Sequence, residues 1–149
     1  IIGFKPWVVK DGLWIAKKFP KAAKQITLYE RLSVPAFALA VLEEFVLVGL
    51  VTVLALTLQW YSAWIAVFMG FSLHILIHIG QWIVVGKYIP IAVTSLLSLP
   101  YIVWGIYKIY SQYSISMIVF CFIIGTIVLI VNLRFVHKLA LQFDKRIKA

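Results

Sequence analysis

Charge is what this chain has least of. Only 13% of its 149 residues are Asp, Glu, Lys or Arg, against about a quarter in soluble globular domains. Five residues are acidic, and no Lys or Arg falls between Val34 and Val85. A lone cysteine, Cys121, excludes an intrachain disulfide and any paired-cysteine motif. Lying in an apolar run, it reads as a small packing residue. There is no glycine-rich phosphate loop and no nucleophile elbow, so nucleotide chemistry and hydrolases of the soluble type find no support.

Long apolar runs fill the space that charge leaves. Hydrophobic residues make up 64% of the chain and the mean hydropathy is +1.03. The chain therefore reads as an all-α, polytopic membrane helical bundle, with no room for a sizeable soluble domain. Four spans are predicted, at about residues 34–58, 63–85, 89–107 and 115–136. Ser33 and Pro35 mark the start of the first as a cap and first-turn pair. Pro100 should kink the third. Residues 1–32 interleave Trp7, Leu13, Trp14, Ile15 and Phe19 with lysines and are broken by Pro20, which predicts one or two short amphipathic pieces in the membrane interface. Residues 139–149 read as a basic tail, and 33–138 as the membrane domain.

Thirteen of the fourteen Lys and Arg fall on one side of that bundle, and Lys108 alone falls on the other. By the positive-inside bias residues 1–32, 86–88 and 137–149 should be cytoplasmic. Trp60, Tyr61, Trp64, Tyr107, Tyr110 and Tyr113 would form the outer aromatic belt, with Trp82 and Tyr88 in the inner one. The net charge of +9 then reflects topology and attraction to anionic lipid; it does not point to nucleic acid.

Against this background four ionisable residues stand out. Glu43 and Glu44 lie inside the first span, and His74 and His78 lie four residues apart in the second. Ionisable groups in hydrocarbon are costly and mark function. The i to i+4 spacing stacks the imidazoles on one helix face, with Gln81 and Trp82 continuing it. At ~1.5 Å of rise per residue the two glutamates lie roughly 14 Å from the basic edge, His78 roughly 10 Å and His74 roughly 16 Å. Thr94 and Ser95 fall at about 8 Å and offer hydroxyls to the lower edge of such a site. His137 and Asn132, near the basic end of the fourth span, are weaker candidates.

Two imidazoles with a carboxylate form a ligand set for zinc, iron or manganese. Expected metal ligands are Glu44, His74 and His78, with Glu43 or Glu44 as a catalytic acid or base, and Gln81, Tyr88, Thr94 and His137 in support. A zinc-protease signature is not present, because Ile75 stands where the glutamate after the first His is needed. The leading expectation is a membrane-embedded metal-dependent hydrolase or oxidoreductase acting on a lipid-like or apolar small molecule. The same residues also suit a proton- or cation-coupled carrier or transporter accessory. A non-catalytic membrane partner or immunity-type protein requires none of them, and in that case a protonated Glu bonded to a neutral His is interhelical glue.

The segments from Phe37 through Glu43-Glu44 to Phe45, from Leu73 through His74 and His78 to Trp82, and Gly86-Lys87-Tyr88-Ile89-Pro90 with Val93 to Leu96 carry a family likeness. In order and spacing the chain, from about Phe4 to Pro100, resembles the small bacterial integral membrane proteins named for an HXXEE motif. It departs from them at one point: Ala40 stands where the motif's His would precede the Glu pair. The resemblance therefore implies that the naming motif lies ahead of Ile1, on a further helix with one more His and two more Glu. The apolar Ile1-Ile2-Gly3 and the absence of an initiator Met agree with that expectation, which would give five spans and put the natural N-terminus outside. The family implies no reaction, since its function is unknown.

Overall fold

The computed structural model describes residues 3–148, and the expectation for Ile1-Ile2 lies outside them. Helices α1 (Phe4–Lys18) and α2 (Ala23–Arg31) flank a single 3₁₀ turn at Pro20–Ala22. Four long helices follow: α3 (Val34–Leu58), α4 (Tyr61–Val85), α5 (Pro90–Gln112) and α6 (Ile115–Lys148). All four are long and apolar enough to cross a membrane, and no strand occurs among the described residues. The protein is an all-α helical membrane bundle.

Local chemistry sets the boundaries. Ser33 accepts the Ala36 N–H at 3.4 Å and Pro35 occupies the first turn, so α3 begins where the cap pair predicts. It ends at Gln59, whose left-handed φ of 57° reverses the chain within three residues. Gly86 closes α4 the same way, at φ 70°, with its N–H on the Trp82 carbonyl at 3.0 Å. Pro20 does break the N-terminal segment in two. Pro100, by contrast, is accommodated inside a continuous α5, which runs past Tyr107 to Gln112.

Helices α4 and α6 form the closest pair. A Cβ on Gly125 would lie 2.0 Å from the Ala66 carbonyl oxygen, and one on Gly70 would lie 2.6 Å from the Gly125 oxygen. Backbone meets backbone here, which only small residues permit. Ser62, Ala66 and Gly70 repeat at four-residue intervals along α4, and Cys121, one turn before Gly125, directs its Sγ to the Ser62 carbonyl at 3.6 Å. Lipid is as apolar as leucine and provides no hydrophobic drive between spans, so association depends on such close packing.

The greatest departure from expectation is α6. Residues 139–148 are not a separate tail but the last turns of one 34-residue helix, about 51 Å long and far beyond a ~30 Å hydrocarbon core. The projecting end is held in place. Asp144, 7% exposed, accepts the Ser33 N–H at 2.9 Å and pairs with Lys148, which also donates to the Arg31 carbonyl at 2.8 Å. Lys5 donates to the neighbouring Leu32 carbonyl. The bonds from Lys148 and Ser33 pull the Asp144 carboxyl down to about 2. A depressed carboxylate stabilises the fold above its ordinary value near 4 and loses that contribution as pH falls towards 2. Melting temperature in detergent should therefore drop between about pH 4 and pH 2, and the drop should be shallower in Asp144→Asn; equal slopes in the two proteins would remove the latch from the account.

The N-terminal helices turn an apolar face inward against the bundle. Phe4, Val8, Ile15 and Ile26 form a core with Val85 and Ile89, flanked by Trp7, Phe19, Tyr29, Phe37 and Trp82. Their hairpin thus covers the basic end of the bundle. Val9, Leu13 and Trp14 stay exposed on the outer side of α1, beside Lys87, whose Nζ lies 4.1 Å from the Trp14 ring centroid and 3.3 Å from Asp11.

Candidate functional site

The adjacent glutamates have different surroundings. Neighbours on a helix point about 100° apart, and both side chains are half-buried. Glu43 accepts a hydrogen bond from Asn132 Nδ2 of α6 at 3.2 Å. Glu44 instead lines a partly open cavity of about 60 Å³ between α3, α4 and α6, whose other polar side chains among the described residues are His74 and Asn132. That volume has room for about four water molecules. Gly70 and Gly125 lie on its wall, so the closest helix crossing adjoins the cavity.

The imidazoles meet as their spacing requires. His74 Nε2 and His78 Nε2 are 3.0 Å apart, and His78 Nδ1 is 3.2 Å from Gln81 Oε1. Gln81 Oε1 can only accept, so His78 carries its proton on Nδ1. A neutral His78 then presents a lone pair at Nε2, and His74 must donate its own Nε2–H to it. The result is a directed chain, His74 to His78 to Gln81, that leaves a lone pair on His74 Nδ1.

This chain stands between two cavities. His74 lines the small one with Glu44. His78 and Gln81 line a second, of about 680 Å³, which lies between the N-terminal hairpin and α4 and also holds Gln25 and Tyr29. Tyr29 connects the hairpin to α6: Gln25 Nε2 donates to its hydroxyl at 3.1 Å, and the hydroxyl lies 3.2 Å from His137 Nε2. His137 Nδ1 is bonded to the Leu133 carbonyl, so its Nε2 accepts the tyrosine proton. Burial pushes the Tyr29 hydroxyl above its ordinary value, the bond from Gln25 draws it back, and the nearby charge of Glu44 raises it further.

Five of the expected site residues, Glu43, Glu44, His74, His78 and Gln81, are thus on or beside the two cavities, and His137 joins them through Tyr29. Tyr88 and Thr94 do not. Tyr88 is 59% exposed and borders a separate depression with Asp11 and Lys87. Thr94 is exposed and returns its hydroxyl to the Ile91 carbonyl at 2.9 Å, as does the buried Ser95. Their depth matches, but depth says nothing of which way α5 turns them. Tyr29 and Gln25 were not anticipated; their i, i+4 polar spacing on an amphipathic segment was the only signal. Among the described residues no three His, Cys, Asp or Glu side chains stand together as a ready metal group.

The family model described as "Protein of unknown function with HXXEE motif" matches residues 1–105. The chain belongs to the HXXEE family. The match includes the Glu pair and both imidazoles of this HXXEE protein and stops before Asn132 and His137, which complete the surroundings from α6. Comparison with curated proteins and with solved structures finds no match.

Proposed function

We propose that this HXXEE protein handles protons at membrane depth, with Glu44 as the acceptor and the His74–His78 pair as its exchange route to the basic end, as a proton-coupled carrier or transporter accessory requires. The observation that carries the reading is the position of the hydrogen-bonded imidazoles between the Glu44 cavity and the large cavity. Each transfer balances. A proton from Glu44 arrives, through water in the small cavity, at His74 Nδ1; His74 releases its Nε2 proton to His78 Nε2; His78 releases its Nδ1 proton past Gln81. Both rings end as the opposite tautomer, ready to carry a proton inward. Between α4 and α6 the close approach of Gly70 and Gly125 leaves no gap beside the cavity. This is the arrangement of a coupled binding site, not an open channel. With thirteen of fourteen basic residues at one end, that end faces the cytoplasm of a bacterial cell in this reading.

The test is an acid pulse on protein in nanodiscs, with a pH-sensitive dye attached near Lys145. Wild type should take up a buried proton that Glu44→Gln does not; identical uptake would refute the reading.

A second reading has its own observation. Two nitrogens on one tetrahedral metal lie about 3.3 Å apart when each is ~2.0–2.1 Å from it, and His74 and His78 Nε2 are 3.0 Å apart. His78 also has an outer partner in Gln81, as metal-bound imidazoles do. Zinc, iron or manganese would be held by His74 and His78, with Glu44, which shares a cavity with His74 but forms no ready three-residue group with the pair, moving in as a third ligand, and would supply Lewis acidity for hydrolytic or oxidative chemistry on an apolar substrate. In a zinc titration of apo protein this reading predicts one tight site, lost in His74→Ala and weakened roughly 10–100-fold in Gln81→Leu. Zinc binding unaffected by either change would dismiss it.

A further inference from the structure

The larger cavity is not explained by proton exchange. Its volume of about 680 Å³ is that of a small-molecule site, and most of its lining is apolar: Phe4, Ile15, Ile26, Val85 and Ile89 come from the same core that fastens the hairpin to the bundle. The one charged group on its lining among the described residues is basic. Lys21 lies on the lining and no acidic side chain does. Gln81 spends its oxygen on His78, which leaves its amide N–H₂ to donate. Trp7 lines the cavity too, as part of its apolar wall.

We infer that this cavity binds a single-chain amphiphile with an anionic head group, its chain against the apolar wall and its head taking hydrogen bonds from the donors Lys21 and Gln81. The space suits one acyl chain; a two-chain lipid exceeds it. Fatty acids and anionic lysolipids share this chemistry. The inference goes beyond the proton reading and does not depend on it, although His78 lies on the wall of the cavity and would sense the head group's charge.

The experiment measures saturable binding of radiolabelled oleate to full-length protein in nanodiscs, with unlabelled oleyl alcohol and lysophosphatidylglycerol as competitors. One site per chain is expected, with oleyl alcohol at least about tenfold weaker than oleate. If oleate alone competes, the ligand is a fatty acid; if lysophosphatidylglycerol competes better, it is an anionic lysolipid; both outcomes support the proposal. Val84 lies on the lining but is 63% exposed, so Val84→Trp obstructs the cavity without disturbing the core and should abolish binding. Lys21→Met keeps the side-chain length, removes the cationic donor and should weaken oleate binding roughly fivefold. Oleate that only partitions without saturating, equal competition by oleyl alcohol, or wild-type affinity in a folded Val84→Trp protein would each overturn it. Proton uptake on the same preparation shows whether the Glu44 reading stands or falls separately.

Discussion

Gly125→Leu should leave a protein that inserts into the membrane but does not hold its bundle together. A single Cβ at this position already overlaps the Ala66 carbonyl oxygen at 2.0 Å and the Gly70 nitrogen at 2.9 Å. Overpacking of a core side chain typically costs ~1–3 kcal/mol because rotamers yield; here the obstacle is backbone, and a rotamer change cannot relieve it. Gly125→Ala should therefore lower the melting temperature in detergent clearly, and Gly125→Leu should eliminate the cooperative transition. Gly49 is the control. A Cβ there meets nothing within 4 Å, and because alanine is the better helix former, Gly49→Ala should be neutral or stabilising by about 0.5–1 kcal/mol. If Gly125→Leu melts like wild type, the α4–α6 crossing is not what assembles this protein. Because Gly125 also borders the Glu44 cavity, residual folded Gly125→Ala protein should exchange protons abnormally while Gly49→Ala does not.

The second large effect concerns the imidazoles. His74→Phe and His78→Phe each replace a ring of similar shape that neither accepts nor releases a proton, so helix packing should survive. A positioned acid–base group typically contributes ~10²–10⁴-fold to proton transfer. Either variant should slow proton exchange at Glu44 by about a hundredfold or more, without changing how many protons are finally bound. Gln81→Leu should slow it less, since Gln81 orients His78 and passes no proton itself. Glu44→Gln behaves differently: it removes the acceptor, so the amount of uptake falls and not only its rate. Glu43→Gln should slow exchange far less than either His variant, because Glu43 is bonded to Asn132 and passes no proton in the relay. Unchanged rates in both His variants would leave the pair as interhelical packing.

How much of this was legible in the sequence depends on which coordinate a residue's role requires. Class and span count follow from apolar content and length, which local composition carries in full. Depth follows from counting, and it correctly set Glu44 level with His74. Azimuth does not follow from counting. Thr94 has the right height and the wrong bearing, and counting did not distinguish Glu43, which bonds Asn132, from Glu44, which lines the cavity. Long-range docking was least legible. Tyr29 reaches His137 across 108 positions because the hairpin folds back over the bundle, and no local pattern encodes that. Asp144 did carry a signal: a lone acid four residues before Lys148, amid basic neighbours, favours a helical i, i+4 pair over a disordered tail. The Ala66–Gly70 repeat facing Gly125 was equally visible as small residues at four-residue spacing, though its partner helix was not.

Time-resolved infrared spectroscopy of the buried carboxyl addresses the central claim most directly. After a pH jump on isotopically labelled protein in lipid, the carboxyl band that disappears in Glu44→Gln should change quickly in wild type and about a hundredfold more slowly in the His74→Phe/His78→Phe double variant. A Glu44 band that changes at the wild-type rate without either imidazole would contradict the account.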